Sequence, residues 1–270
     1  MRFIGETEPL GSAAAFAARH AAGGGALTLP ALAGLRLTAG PDGVRLSGYD
    51  YESGTQVSVP ATVPDAGEVL LPGKVFAEIL QSLPPGEVEV RAVDGGVEVS
   101  AGTIEFSLPT LPLDDYPELP AFPPVAGTVR AEHFVTAATR RARIAARDDV
   151  VPIFSGTLVE LASGRLTLAA SDRYRVAVSD LPWSGEPEPF EVVVPARQLA
   201  ETARGLSPKG DLDLGVGTIG SSGEALFGLA DATRRSTLRL LDGSYPPMRS
   251  KIPEQFAGTL SVRSDELRAA

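Results

Sequence analysis

The residues Ser171-Asp172-Arg173-Tyr174-Arg175 place a hydroxyl, a carboxylate, two guanidiniums and a phenol on consecutive positions. The alternating run from Gly164 to Ala170 leads into them, and Val176 and Val178 alternate after them, so the pattern predicts strand, tight turn, strand. A turn between two apolar strands lies at the surface and displays its polar groups to something outside. Two chemistries suit these groups. Asp172 could join Asp50 as a carboxylate pair for general acid-base work, or each aspartate could fix its own turn by accepting backbone N–H bonds. The only histidines, His20 and His133, fall on predicted helices and read as surface groups. No glycine-rich phosphate loop, nucleophile elbow or metal-ligand spacing lies near them. No catalytic residue, cofactor or metal is therefore expected.

The elements that position the turn occur twice. Asp172 and Asp50 stand 122 residues apart, as do Pro152 and Pro30. Leu70-Leu71-Pro72-Gly73-Lys74 answers Val193-Val194-Pro195-Ala196-Arg197 at a spacing of 123, and Asp115-Tyr116-Pro117 answers Ser244-Tyr245-Pro246 at 129. Self-similarity at that period fits a duplicated domain, and it puts Asp50 and Asp172 in separate copies. A third copy begins at Gly258-Thr259-Leu260, which resembles Gly127-Thr128-Val129 at 131. Each copy predicts strand, helix, several strands, a second helix after Pro72 or Pro195, and further strands. Asp94-Gly95-Gly96 turns one hairpin and Ser221-Ser222-Gly223 its counterpart. The proline-rich stretch from Pro112 to Val125 reads as an extended connector. Antiparallel sheets backed by two helices make each copy an α+β domain. The expected units are 1–122, 123–253 and the start of a third, 254–270.

The net charge of −10 taken alone argues against a nucleic-acid binder. Its distribution says more. From Arg130 to Arg147 there are five arginines against a single acid, Glu132. On one helix, Arg140, Arg143 and Arg147 would fall opposite Phe134, Ala138, Ala142 and Ala145. For an isolated helix such a stripe is an ordinary solvated face. Acids gather instead in predicted strands and loops such as Glu186-Pro187-Glu188 and Asp211-Leu212-Asp213. The absence of cysteine rules out a disulfide framework or thiolate site, and Met1 to Glu6 carry acid without a long apolar run. A soluble, intracellular, cytoplasmic protein is expected.

Asp172-Arg173-Tyr174-Arg175, Leu241-Asp242-Gly243-Ser244-Tyr245-Pro246 with Arg249-Ser250, and Phe106-Ser107-Leu108-Pro109-Thr110-Leu111 with Asp115-Tyr116-Pro117 resemble the bacterial sliding clamp family, the beta subunit of the replicative DNA polymerase. The resemblance spans essentially the whole sequence. It implies tandem clamp domains with sheets outside and two helices per repeat inside. It also implies a non-enzymatic processivity factor that encircles double-stranded DNA without reading bases and tethers the replicative polymerase, the clamp loader and other proteins with a clamp-binding motif. The implied phosphate contacts are Arg19, Lys74, Arg140, Arg143, Arg147, Arg197 and Arg204. The family often has an arginine where Ala26-Leu27 precede Thr28 here. The implied peptide groove comprises Phe154, Ser171, Arg173, Tyr174, Arg175, Val176, Pro246 and Ser250. Tyr174 and Arg175 also admit a plainer reading as an internal turn lock.

Clamps of this family close when two three-domain chains join head to tail, giving a homodimer. The sequence is accordingly expected to be a fragment of a longer chain, and a monomer or weak associate by itself. Two other classes remain: a clamp-like docking module that closes no ring, and an enzyme built on a duplicated α+β domain.

Overall fold

The computed structural model describes residues 1–20, 29–147, 151–162, 164–185, 188–219, 224–253, 255 and 257–269. The predicted loop at 221–223, Glu186-Pro187 and Ala26-Leu27 lie outside the described residues. The first repeat runs β1 (Arg2–Glu6), α1 (Thr7–Ala17), β2 (Gly34–Gly40), β3 (Gly43–Tyr49), β4 (Ser53–Val59), β5 (Thr62–Asp65), β6 (Gly67–Pro72), α2 (Gly73–Ser82), β7 (Glu87–Val93), β8 (Gly96–Ala101) and β9 (Ile104–Pro109). The second runs β10 (Val125–Arg130), α3 (Ala131–Ala142), β11 (Gly156–Ala162), β12 (Arg165–Ser171), β13 (Val176–Leu181), β14 (Ser184–Gly185), β15 (Phe190–Pro195), α4 (Ala196–Gly205), β16 (Asp211–Ile219), β17 (Glu224–Ala230) and β18 (Arg234–Arg239). A last short helix, α5 (Ser264–Ala269), follows.

The duplication is visible in the sheets. The order β5-β1-β7-β8-β9 in the first repeat matches β14-β10-β16-β17-β18 in the second, and β4-β3-β2-β6 matches β13-β12-β11-β15. It is visible in the backbone too. Tyr51 (φ 71°) and Arg173 (φ 79°) are the positive-φ non-glycine residues among those described, and they occupy equivalent places in the two turns. Left-handed backbone is costly for a side-chain-bearing residue, so hydrogen bonds must hold the turns.

The helices bury one stripe each. In α2, Gly73, Phe76, Ala77 and Leu80 point inward at helical spacing. In α4, Ala196, Leu199, Ala200 and Ala203 do the same. α1 packs on α2 and α3 on α4, and Phe3, Phe16, Phe76, Phe134 and Phe227 are fully buried in a core that underlies both repeats.

The repeats meet where β18 pairs antiparallel with β4, from Arg234 against Val57 to Leu238 against Ser53. This pairing fuses two of the sheets into one of nine strands. On the helical side, Phe16 fills the joint. Its ring lies 5.9 Å from the Arg19 guanidinium and 5.3 Å from that of Arg234. Arg234 donates to Gly205 O and, at 2.8 Å, to Ser12 Oγ, while Arg19 Nη1 donates to Glu201 O at 2.8 Å.

One expectation needs correction. α3 ends at Ala142, so Arg143 caps it and Arg147 lies beyond it rather than on a continued helical stripe. The chain turns away because Ile144 N and Ala145 N both donate to Arg141 O, and Ala146 N donates to Phe154 O. Arg141, which that stripe does not include, is 5% exposed and faces the core side of α3, where Nε donates to Leu168 O and Nη2 to Ser179 Oγ. Residues 257–263, which resemble β10, form no strand. β1 and β10 are held by β7 and β16, strands far downstream in their own copies, and the 270 residues contain no third equivalent.

A methyl group at Gly205 would stand 2.5 Å from Phe16 Cδ2. Gly205→Ala is expected to destabilise the joint by about 1–3 kcal/mol, the usual cost of overpacking, as a lower urea midpoint. An unchanged midpoint would show that Phe16 does not plug the joint.

Candidate functional site

The turn at 171–175 is held by its own side chains. Asp172 Oδ1 accepts from Tyr174 N and Arg175 N, each at 3.1 Å, and Oδ2 accepts from Arg175 Nε at 2.9 Å. Ser171 Oγ accepts from Arg173 N at 3.0 Å, which helps hold Arg173 in its left-handed conformation. Arg175 Nη2 reaches the carbonyl of Arg143 at 3.2 Å. One guanidinium therefore links the turn to the end of α3. Burial pushes the Asp172 carboxyl up, but the Arg175 side chain and the two backbone N–H groups outweigh it and hold the carboxyl below its ordinary value. In the first repeat Asp50 Oδ1 accepts from Glu52 N at 3.0 Å and Ser53 N at 2.7 Å. There burial dominates and pushes the carboxyl up. Each aspartate serves its own turn, and nothing joins them as a catalytic pair.

The outer face of β11, β12 and β13 carries the apolar part of the expected groove. Phe154 lies on a 3-10 turn, Pro152–Ser155. Its ring meets Tyr245 edge-on at 5.8 Å, and Phe154 and Val176 pack against the cluster of Leu158, Ala169, Val193, Tyr245 and Met248. Ser171 is buried, and its N–H donates to Tyr245 Oη at 2.9 Å. Tyr174 is 92% exposed at the tip of the turn, and Arg173 and Arg175 are also exposed. Pro246 and Ser250 sit on the segment after Tyr245, with Ser250 Oγ donating to Pro247 O. Phe154, Ser171 and Val176 thus converge on Tyr245, a residue that sequence reasoning used only as a marker of the repeat. Its pairing with Tyr116 at 129 was the available signal: Tyr116 is likewise buried, with its hydroxyl 3.4 Å from Ser47 O.

On the helical side, Arg143, Arg147, Arg197 and Arg204 line one concavity of about 730 Å³ with Ala142, Ala146 and Leu241 in its walls. Arg197 Nε pairs with Glu201 Oε1 at 2.9 Å, and Arg204 Nε donates to Ala200 O at 3.0 Å. Arg140 is exposed on the last turn of α3, and Lys74 is exposed near the start of α2 at the place that Arg197 takes in α4. Arg19 is spent largely on the joint, and burial lowers its pKa. No helix among the described residues is long and apolar enough to cross a membrane.

This architecture has counterparts among known proteins. The family described as "DNA polymerase III beta subunit, N-terminal domain" matches residues 22–120, and its "central domain" matches residues 128–247. A beta sliding clamp homolog, GriR, from Streptomyces muensis is 37% identical over 269 residues, covering 99% of this chain and 70% of that protein. The chain belongs to the beta sliding clamp family. The beta sliding clamp of Streptomyces coelicolor is 37% identical over 229 residues, 84% of this chain, and the match spans only 61% of the relative. The Bacillus subtilis DNA polymerase sliding clamp superposes with a TM-score of 0.83 at 23% identity, over 94% of this chain and 68% of that one. The Helicobacter pylori beta clamp gives 0.84 at 17% identity, over 100% and 72%. These likenesses support the α+β fold of tandem clamp repeats.

Two outcomes follow from the turn. In a carboxyl NMR titration Asp172 is expected to titrate below the ordinary 3.8 and Asp50 above it. The depressed Asp172 contributes stability that is present above its unfolded pKa and lost as pH falls through its folded one; the raised Asp50 works in the opposite sense. Equal values for the two would contradict the hydrogen-bond pattern. Tyr245→Phe leaves the buried Ser171 N–H without its acceptor and is expected to cost about 1–3 kcal/mol in a urea melt.

Proposed function

We propose that the chain forms the first two domains of a ring-shaped DNA sliding clamp, with units 1–122 and 123–253 and the beginning of a third at 254–270. The observation that carries this reading is the joint between the repeats. β4 of the first repeat pairs with β18 of the second, and each has an equivalent whose outer edge is unpaired among the described residues: β13 for β4, and β9 for β18. An open strand edge is a template for another strand. A following repeat would meet β13 as β18 meets β4, and another chain's last repeat would meet β9. Repetition of one heterologous contact closes a ring when the rotation allows it, here as a homodimer of the longer chain.

Arginines around the helical concavity suit sequence-independent phosphate contact, which holds a duplex without reading its bases. Arg143, Arg147, Arg197 and Arg204 would act together, with Arg140, Lys74 and Arg19 adding charge along the same surface. The Tyr245 face with Phe154, Ser171, Val176, Pro246 and Ser250 would take the apolar ends of a clamp-binding peptide, each buried Leu or Phe contributing roughly 1.5–3 kcal/mol. Arg173, Tyr174 and Arg175 would border it. The partners are then the replicative polymerase, the clamp loader and other carriers of that motif in the cytoplasm. The protein acts by tethering, with no catalytic step of its own.

A version of the chain continued through a third repeat is expected to stay on nicked circular duplex DNA and to be released when the circle is cut. The 270-residue chain should run as a monomer in light scattering and not be retained. Retention that survives linearisation would sink the ring. Val176→Asp should weaken a labelled clamp-binding peptide by about tenfold, which is about 1.4 kcal/mol, while leaving DNA retention intact.

A further inference from the structure

The outer face of β11, β12, β13 and β15 holds a hollow of about 540 Å³ that none of the expected groove residues lines. Leu158, Ala169, Val178, Tyr245 and Met248 make its apolar floor, and four of these are 6% exposed or less. Its volume lies in the range of ligand-binding clefts. The charges around it fall into two groups. At one end Arg165 and Arg249 both engage Asp180, whose Oδ1 also accepts from Thr167 Oγ1 at 2.9 Å. At the other end Glu160 and Glu191 lie directly opposite each other on neighbouring strands, and among the described residues neither has a cationic partner. Like charges in that cross-strand position are destabilising.

The first repeat shows the same place closed. Arg36 and Thr38 stand where the second repeat has Leu158 and Glu160, and Glu68 stands where it has Glu191. Arg36 Nη2 donates to Glu68 Oε2 at 2.6 Å, and Thr38 Oγ1 donates to Oε1 at 3.1 Å. The second repeat keeps the acid, removes both of its partners, adds a second acid and puts Leu158 in place of Arg36. The joint in the first repeat forms at β4, on the far side of β3 from this pair. A neighbour joined at β13 in the same way leaves the Glu160–Glu191 end open.

We propose that this hollow, which shares the floor of Leu158, Ala169, Tyr245 and Met248 with the groove at Ser171–Val176 and extends from it toward β15, is a second docking site for an extended basic segment of a partner protein. The segment sets an apolar side chain on Leu158 and Met248 and a lysine or arginine between Glu160 and Glu191. Charge complementarity at the β15 end selects this occupant: Asp180 offsets one of the two arginine charges at the far end and leaves that end cationic, while the two carboxylates at Glu160 and Glu191 demand a cation beside the apolar contact.

The probe is a fluorescein-labelled peptide of alternating lysine and leucine, titrated by anisotropy against the 270-residue chain. Saturable binding that weakens with salt is expected. Leu158→Arg should restore the closed arrangement of the first repeat and lower affinity about tenfold; a charge-matched Ile104→Arg on β9 should leave it unchanged. The double substitution Glu160→Gln with Glu191→Gln should weaken binding comparably, so the outcome does not hinge on one variant folding. The proposal fails if the peptide does not saturate, if Leu158→Arg and Ile104→Arg act equally, or if spermidine displaces the peptide at matching concentration, which would make the ligand a free polyamine.

Discussion

Backbone hydrogen bonding between β4 and β18 is the interaction on which the rest of the structure depends. Buried strand edges tolerate few unpaired N–H and C=O groups, and this ladder satisfies one edge from each repeat at once. It joins two α+β units through one nine-stranded sheet. The helical side follows from the same junction. Phe16 can reach across to Gly205 because the paired strands bring the ends of α1 and α4 together, and the missing side chain at Gly205 leaves room for its ring. Arg234, at the start of β18, then braces Phe16 and Ser12.

The turns that end β3 and β12 show how one backbone solution serves two purposes. Both put a non-glycine residue in the left-handed region and hold it with an aspartate that caps the following N–H groups. In the first repeat the turn is clasped by the neighbouring repeat, where Arg239 N donates to Glu52 O at 2.8 Å. In the second the equivalent residue is Tyr174, almost fully exposed. A sealed joint and an exposed turn are the same element with and without a neighbour. Arg175 extends this connection to the helical side through the carbonyl of Arg143, so the surfaces assigned to peptide and to DNA share a hydrogen-bonded strut.

Divergence between the copies is informative because the backbone supplies the control. Ala17 in α1 has Arg141 as its counterpart in α3, a buried guanidinium bonded to Leu168 O and Ser179 Oγ. Gly48, where a methyl group would stand 2.1 Å from Ala17 O, is matched by Ala170. Arg36 gives way to Leu158. Each exchange leaves strand order intact and changes only what one face presents, as expected when function sits on a scaffold that is already determined.

The sequence by itself determined the duplication, the α+β class, the helices after Pro72 and Pro195, the connector and the residues of the exposed turn. These rest on short-range signals: period-2 and period-3.6 apolar patterns, turn residues, and motifs repeated at nearly constant spacing. The Asp172 capping role was legible for the same reason, since an aspartate bonds N–H groups two and three residues on. What only the tertiary structure decided depends on contacts between distant residues. The arginine run predicted one helix through Arg147, yet Ala146 is captured by Phe154 and the helix stops at Ala142. Arg141 has the side chain of a surface residue and is buried because a carbonyl on β12 and a hydroxyl on β13 receive it. Tyr245 receives the Ser171 N–H from 74 positions away. The unpaired Glu160 and Glu191 become neighbours only when β15 joins β11. Local patterns encode elements, but burial and pairing across the sheet are properties of the assembled chain.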